Sequence, residues 1–205
     1  AAGFHAFVLY YSVTPCDYRQ PLLDLARSLC LIRNNAVNWL VDPNKIAICG
    51  FSAGGHLTAS LGVHWNKPWL QQSTGIDPEL TKPNALILSY PVITAGEFAH
   101  HGSFQQLLGT EIDQKLLHEV SLEHQVGPHM PPTFIWHTCA DQSVPVENSL
   151  ILAQRLREAG QNFELHIYPD GPHGLALATS ETEEIQPGVE SWLSLCLNWP
   201  NRTFA

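Results

Sequence analysis

KIAICGFSAGGHLTASL, residues 45–61, passes from a short apolar run, through a serine set between small residues, directly into a helical pattern. Packing alone does not require a serine there. Within the stretch, Gly50-Phe51-Ser52-Ala53-Gly54 fits G-x-S-x-G. Glycine and serine are common, so a chain of this size matches that pattern by chance roughly once in fifteen. The flanks carry the weight. An apolar strand before the serine and a helix after it are the setting in which a turn can hold a serine strained and exposed. Gly50 and Gly54 are expected to let neighbouring backbone pass closely. The hydroxyl of Ser52 then projects at the carboxyl end of a sheet. The amide of Ala53, opening the helix, points to where a developing oxyanion would lie, and the helix dipole favours negative charge there.

Outward from this stretch, strands and helices alternate. Residues 4–12 (FHAFVLYYS) read as a strand. Residues 21–40 read as a helix opened by Pro21, with Leu22, Leu25, Ala26, Leu29, Ile32, Ala36 and Trp39 along one face. After a turn at 42–44 come the strand 45–50 and the helix 53–65. Further strands are expected at 84–90, 132–138 and 163–168. A helix over 145–159 stops at Gly160, and a final helix turns Val189, Trp192, Leu193 and Cys196 inward. Strands apolar on both faces, alternating with helices, indicate one α/β domain over residues 1–205: a mostly parallel sheet with helices on both faces. Residues 92–132 break the rhythm with short helical pieces and the pair His100-His101. A connection that long suggests a cap-like excursion over one edge of the sheet.

A serine hydroxyl needs a base to become a nucleophile. Of eleven histidines, ten lie in strand patterns, on the helix after Ser52, or in the excursion. His173 differs. Its segment PDGPHGLAL is a glycine- and proline-rich loop just beyond the last strand, from which an imidazole could reach Ser52. An acid that orients the ring is expected from a loop between them, and Asp141 closes the strand of residues 132–138 at the same edge. Asp170 and Glu147 are its rivals. Asp170 is better placed to brace the loop, and Glu147 lies within a helix. Phe51 and Tyr90 are the nearest candidates for substrate contact.

Composition narrows the partners. Nineteen acidic against ten basic side chains give a formal charge of −9, which disfavours nucleic acid and anionic lipid. No apolar run is long enough for a membrane span. The five cysteines are scattered without a C-x-x-C pair. Cys49 and Cys139 sit in apolar runs as expected packing residues. Reduced cysteines and the lack of a signal-peptide pattern favour a cytoplasmic setting. No cofactor is expected. A metal site from His100, His101 and Glu97 is the weaker reading, because adjacent loop histidines diverge.

With Ser52, Asp141 and His173 each following its own strand, in that order, the chain resembles the α/β-hydrolase superfamily, in its small esterase/lipase-like branch that includes acetyl-xylan-esterase-like and other sugar-ester hydrolases. The resembling parts include VLYYSV, DPNKIAICGFSAGGHLTASL, PPTFIWHTCADQSVPVENS and FELHIYPDGPHGLAL, and they span most of the sequence. The resemblance implies a three-layer sandwich, Ser52 as nucleophile, Asp141 as acid, His173 as base, and a carboxylic-ester substrate such as an acetylated carbohydrate. It also implies an H-G-G-G-like stretch, supplying a second oxyanion amide, ahead of the segment matching GFHAFVLYYS. The 205 residues hold no such stretch. The sheet is therefore expected to lack its first strands, with a gap between residues 4–12 and 45–50. A truncated or non-catalytic domain, or a peptidase or thioesterase of the same fold, are the alternative readings.

Overall fold

A computed structural model describes residues 3–182 and 184–204. In chain order its elements are α1 (Gln20–Asn34), α2 (Ala36–Trp39), β1 (Ala47–Phe51), α3 (Ala53–His64), α4 (Pro68–Thr74), α5 (Pro78–Thr81), β2 (Ala85–Ser89), α6 (His101–Leu108), α7 (Gln114–Val120), β3 (Thr133–Thr138), α8 (Glu147–Glu158), β4 (Phe163–Tyr168) and α9 (Ser191–Thr203). The four strands form one parallel sheet in the order β1-β2-β3-β4. Phe51 pairs with Ser89, Ser89 with Trp136 and Trp136 with His166, so the carboxyl ends of all four strands share one rim.

Alternate residues of each strand feed two cores. Ile48, Leu86, Leu88 and Ile135 pack with Leu25 and Leu29 of α1, Ala59 and Leu61 of α3, and Leu152 and Leu156 of α8. Ala85, Phe134 and Trp136 face the other way, onto Trp192, Cys196 and Trp199 of α9. A sheet covered on both faces favours near-continuous apolar runs, as in β2 (ALILS), whereas the edge strand β4 (FELHIY) alternates. The final helix turns Trp192 and Cys196 inward as its periodicity predicts, and Gly160 sits at φ +70° just beyond α8.

Residues 4–12 depart from the sequence reading. Among the described residues they pair with no strand, and Val8 and Tyr10 are 80% and 94% exposed. Between this segment and the β1 edge lies a cleft of about 1000 Å³, walled by α1 and α3 on one side and by Cys196, Leu197 and Pro200 of α9 on the other. The cleft lies where the sequence reading puts the gap. A β-pattern becomes a strand only when a neighbour answers its N–H and C=O groups, and across this cleft none does. Two smaller corrections share that cause or lie near it. Cys49 lines the cleft, and both it and Cys139 are exposed rather than packed. Trp39 falls after a break at Asn35, is partly exposed and meets Phe7 across the surface.

His64, the last residue of α3, is only 7% exposed and its Nδ1 has no hydrogen-bond partner. Burial pulls its pKa down to about 4, with Lys67 acting the same way and Glu119 against it. Below about pH 6.5 the unfolded chain takes a proton that the native ring refuses, so native stability falls as pH drops towards 4. His56, half-buried on the same helix, is shifted in the same direction by desolvation. The share due to His64 is about 2.5 kcal/mol between pH 7.5 and 4.5. Urea midpoints at those two pH values should therefore lie closer together in His64→Gln than in the unsubstituted chain. An unchanged spread would refute the assignment.

Candidate active site

Ser52 caps α3 with φ +53° and ψ −118°, a backbone region that costs a non-glycine residue about 1–3 kcal/mol. Neighbouring backbone holds it there. The Ser52 N–H donates to the Ser89 carbonyl (3.0 Å), and the Ser52 carbonyl accepts from the amides of His56 and Val92 (both 3.2 Å). The turn is tight where glycine is required. A Cβ on Gly50 would strike the Gly54 carbonyl and lie 2.5 Å from Thr58 Oγ1, and one on Gly55 would lie 2.7 Å from Pro91 Cβ. Gly54 faces open space, so the close approach expected at Gly54 occurs at Gly55 instead.

The loops after β1, β3 and β4 converge at the shared rim. Ser52 Oγ lies 2.8 Å from His173 Nε2, and His173 Nδ1 lies 2.6 Å from Asp141 Oδ2. An ionised carboxylate only accepts, so it selects the tautomer protonated at Nδ1 and leaves the Nε2 lone pair towards the serine hydroxyl. Neither rival acid is brought to His173: Asp170 is exposed on the loop, and Glu147 opens α8. The His173 loop is bent through Gly171 (φ +128°) and Gly174 (φ +88°) and is tied down by Thr138 Oγ1 donating to the Gly171 carbonyl (2.8 Å).

Asp141 is buried and fully engaged. Its Oδ1 accepts from the amides of Ser143 and Val144 (both 2.9 Å), and Oδ2 also meets His137 Nε2 at 3.3 Å. Burial alone would raise its pKa. Hydrogen bonds from His137, His173 and the Val144 amide outweigh burial and hold the carboxyl well below the usual carboxylate range. His137 is the residue that sequence reasoning passed over as an ordinary strand histidine. It is fully buried, and its Nε2 lies 2.9 Å from the Val144 carbonyl, which only accepts, so Nε2 carries the proton. Nδ1 then accepts from Ser149 Oγ–H at 2.8 Å. A histidine four residues before the acid at a strand end was the available signal.

The aromatic candidates divide. Phe51 is 37% exposed beside the serine. Tyr90 is 4% exposed, its ring edge lies against His173 at 5.0 Å between centroids, and its hydroxyl accepts from the Ala176 amide at 3.0 Å. It therefore braces the histidine loop. His100 caps α6, with Nδ1 2.8 Å from Ser103 Oγ, and among the described residues no cluster of three His, Cys, Asp or Glu side chains suits a metal. Among the described residues no helix is long and apolar enough to cross a membrane.

Residues 3–156 match the family described as BD-FAE. The chain is 41% identical over 188 residues to an endo-1,4-beta-xylanase B of Butyrivibrio fibrisolvens, covering 87% of this chain and 29% of that protein. It is 34% identical over 198 residues to an acetylxylan esterase of Xylanibacter ruminicola, covering 93% and 39% respectively. The chain thus spans well under half the length of these curated relatives. Among solved structures, an acetyl ester-xyloside bifunctional hydrolase from Caldicellulosiruptor lactoaceticus superposes with a TM-score of 0.84 at 41% identity, covering 96% of this chain and 70% of that one. A carboxylesterase from Lactobacillus plantarum gives 0.84 at 30% identity, covering 99% and 76%.

Proposed function

The chain belongs to the BD-FAE family, an α/β-hydrolase family, and from that premise we propose that it is a serine carboxylic-ester hydrolase acting through an acyl-enzyme on short acyl esters such as acetylated carbohydrate. The observation that carries this reading is the unbroken hydrogen-bond chain from Ser52 through His173 to Asp141, built on a strained turn. Relatives described as esterases of acetylated xylan and of carboxylic esters support the same class.

Ser52 Oγ attacks the acyl carbon while its proton passes to His173 Nε2. The negative charge that develops on the carbonyl oxygen meets the Ala53 amide at the start of α3. Collapse of the tetrahedral intermediate breaks the bond to the alcohol oxygen, which takes the proton from His173. Water then attacks the acyl-serine, gives a proton to His173, and releases the carboxylic acid as Ser52 regains its hydrogen. Asp141, ionised through the pH range of the reaction, holds the ring and stabilises the imidazolium. Residues 92–132, with α6 and α7, serve as the cap beside the serine, and Phe51 faces the cleft beside β1 instead.

A fluorophosphonate probe tests the reading without requiring the natural substrate. Peptide mass spectrometry should place the phosphonyl adduct on Ser52 in the unsubstituted chain, with none in Ser52→Ala and little in His173→Ala. A folded chain that stays unmodified at Ser52 would favour the non-catalytic alternative.

A further inference from the structure

A second cavity of about 430 Å³ runs along α3 and adjoins the cleft beside β1 at Tyr11 and Leu57. Ala53, His56, Leu57, Ser60 and His64 line it, so it follows all twelve residues of α3, roughly 17 Å. Apolar side chains line its middle, among them Leu57, Val92 and Leu107. Its far end is polar. There Arg19 Nη2 donates to Glu119 Oε1 (2.7 Å), Tyr18 Oη donates to the same oxygen (3.2 Å), and the guanidinium lies over the Trp69 ring at 4.6 Å. Arg19 Nε and His64 Nδ1 are buried without a partner.

We propose that this cavity is the alcohol subsite of the esterase reading above, on which it rests, and that it takes a pyranose ring whose hydroxyls meet Arg19 and Glu119 while the ester carbonyl sits at Ser52 and Ala53. Size argues for the alcohol. At about 430 Å³ the cavity is far larger than a two-carbon acyl group needs, and it lies within the usual range for a small-molecule pocket. Charge argues for a neutral ligand. Arg19 and Glu119 cancel one another, so a carboxylate or phosphate gains little there. A sugar hydroxyl both donates and accepts, and can use the guanidinium N–H groups and carboxylate lone pairs that the pair leaves over. The ring's C–H faces suit the apolar middle. His64 stays neutral above about pH 4 and can accept from a hydroxyl.

The probe is methyl xylopyranoside carrying a single acetyl group, titrated by ligand-observed NMR into the Ser52→Ala chain. Binding is expected, and Glu119→Gln and Arg19→Lys, each added to Ser52→Ala, should weaken it about tenfold. In chains that keep Ser52, the same two substitutions should lower the ratio of kcat/KM for the sugar acetate to kcat/KM for an aryl acetate by about tenfold, chiefly through KM. If both substrates suffer equally, the pair merely ties residues 11–19 to α7 and the proposal is overturned. It is also overturned if the pair instead resets preference among aryl esters of longer acids, which would make the cavity an acyl pocket. An acyl-enzyme at Ser52 without sugar binding defeats this subsite and leaves the esterase reading standing. Sugar binding sensitive to Glu119 without any acyl-enzyme does the reverse.

Discussion

Asp141→Asn is expected to lower kcat for an aryl acetate by about 10⁴-fold, and Ser52→Ala to lower it by about 10⁶-fold and to remove the acyl-enzyme altogether. The asparagine effect follows from proton positions. Its carbonyl oxygen can keep the Ser143 and Val144 amides, now at Oδ1. Its amide nitrogen then replaces Oδ2 and presents hydrogens to His173 Nδ1, 2.6 Å away in the parent. The ring answers by accepting at Nδ1 and carrying its proton on Nε2. A donor now faces Ser52 Oγ where an acceptor stood, and the base is lost although every heavy atom keeps its place. The same nitrogen also opposes the Nε2–H of His137, so Asp141→Asn should cost about 1 kcal/mol in stability besides. Because hydrogen bonds hold the Asp141 carboxyl well below its ordinary range, the acid limb of the parent's pH–rate profile should not belong to it. Asp141→Asn and parent compared by stopped-flow and by urea unfolding would settle both parts. A variant within tenfold of the parent rate means that Asp141 does not set the tautomer.

The proposed site was more legible in the sequence than the sheet beside it. Ser52, Asp141 and His173 each follow an apolar strand, and parallel strands deliver such loops to one rim, so chain order alone could bring them together. The helix α9 was legible for a related reason: its apolar spacing is local, and the partners it requires are present. Residues 4–12 carry an equally clear β-pattern, yet that pattern records a preference and not a partner. Whether it pairs depends on what stands beside β1, and a cleft stands there. His137 was overlooked because a buried histidine in a strand has no periodic signature. Only its three polar neighbours reveal what it does. The choice between Gly54 and Gly55 was similarly out of reach, since it turns on where Pro91 arrives from β2.

Gly50→Ala is expected to destabilise the fold by about 3 kcal/mol or more, at or beyond the upper end of ordinary overpacking. Gly50 lies in β1 and its missing side chain faces the first turn of α3, where a Cβ would collide with the Gly54 carbonyl. A flexible side chain could rotate out of the way. This obstacle is backbone, in the helix whose first residues fix the serine turn, and Thr58 Oγ1 closes the remaining side at 2.5 Å. The methyl group can be admitted only by moving α3 away from β1. That shift opens the core around Ile48, Ala59 and Leu61 and carries Ser52 off the His173 ring. Stability and fluorophosphonate labelling should therefore fail together. Gly54→Ala is the matched control: a Cβ there meets nothing within 4 Å, and alanine is the better helix former, so stability should hold or rise by up to about 1 kcal/mol. Denaturant midpoints for the two variants and the parent decide the matter. A Gly50→Ala chain as stable as Gly54→Ala would mean that the strand–helix contact yields more readily than its backbone lining implies.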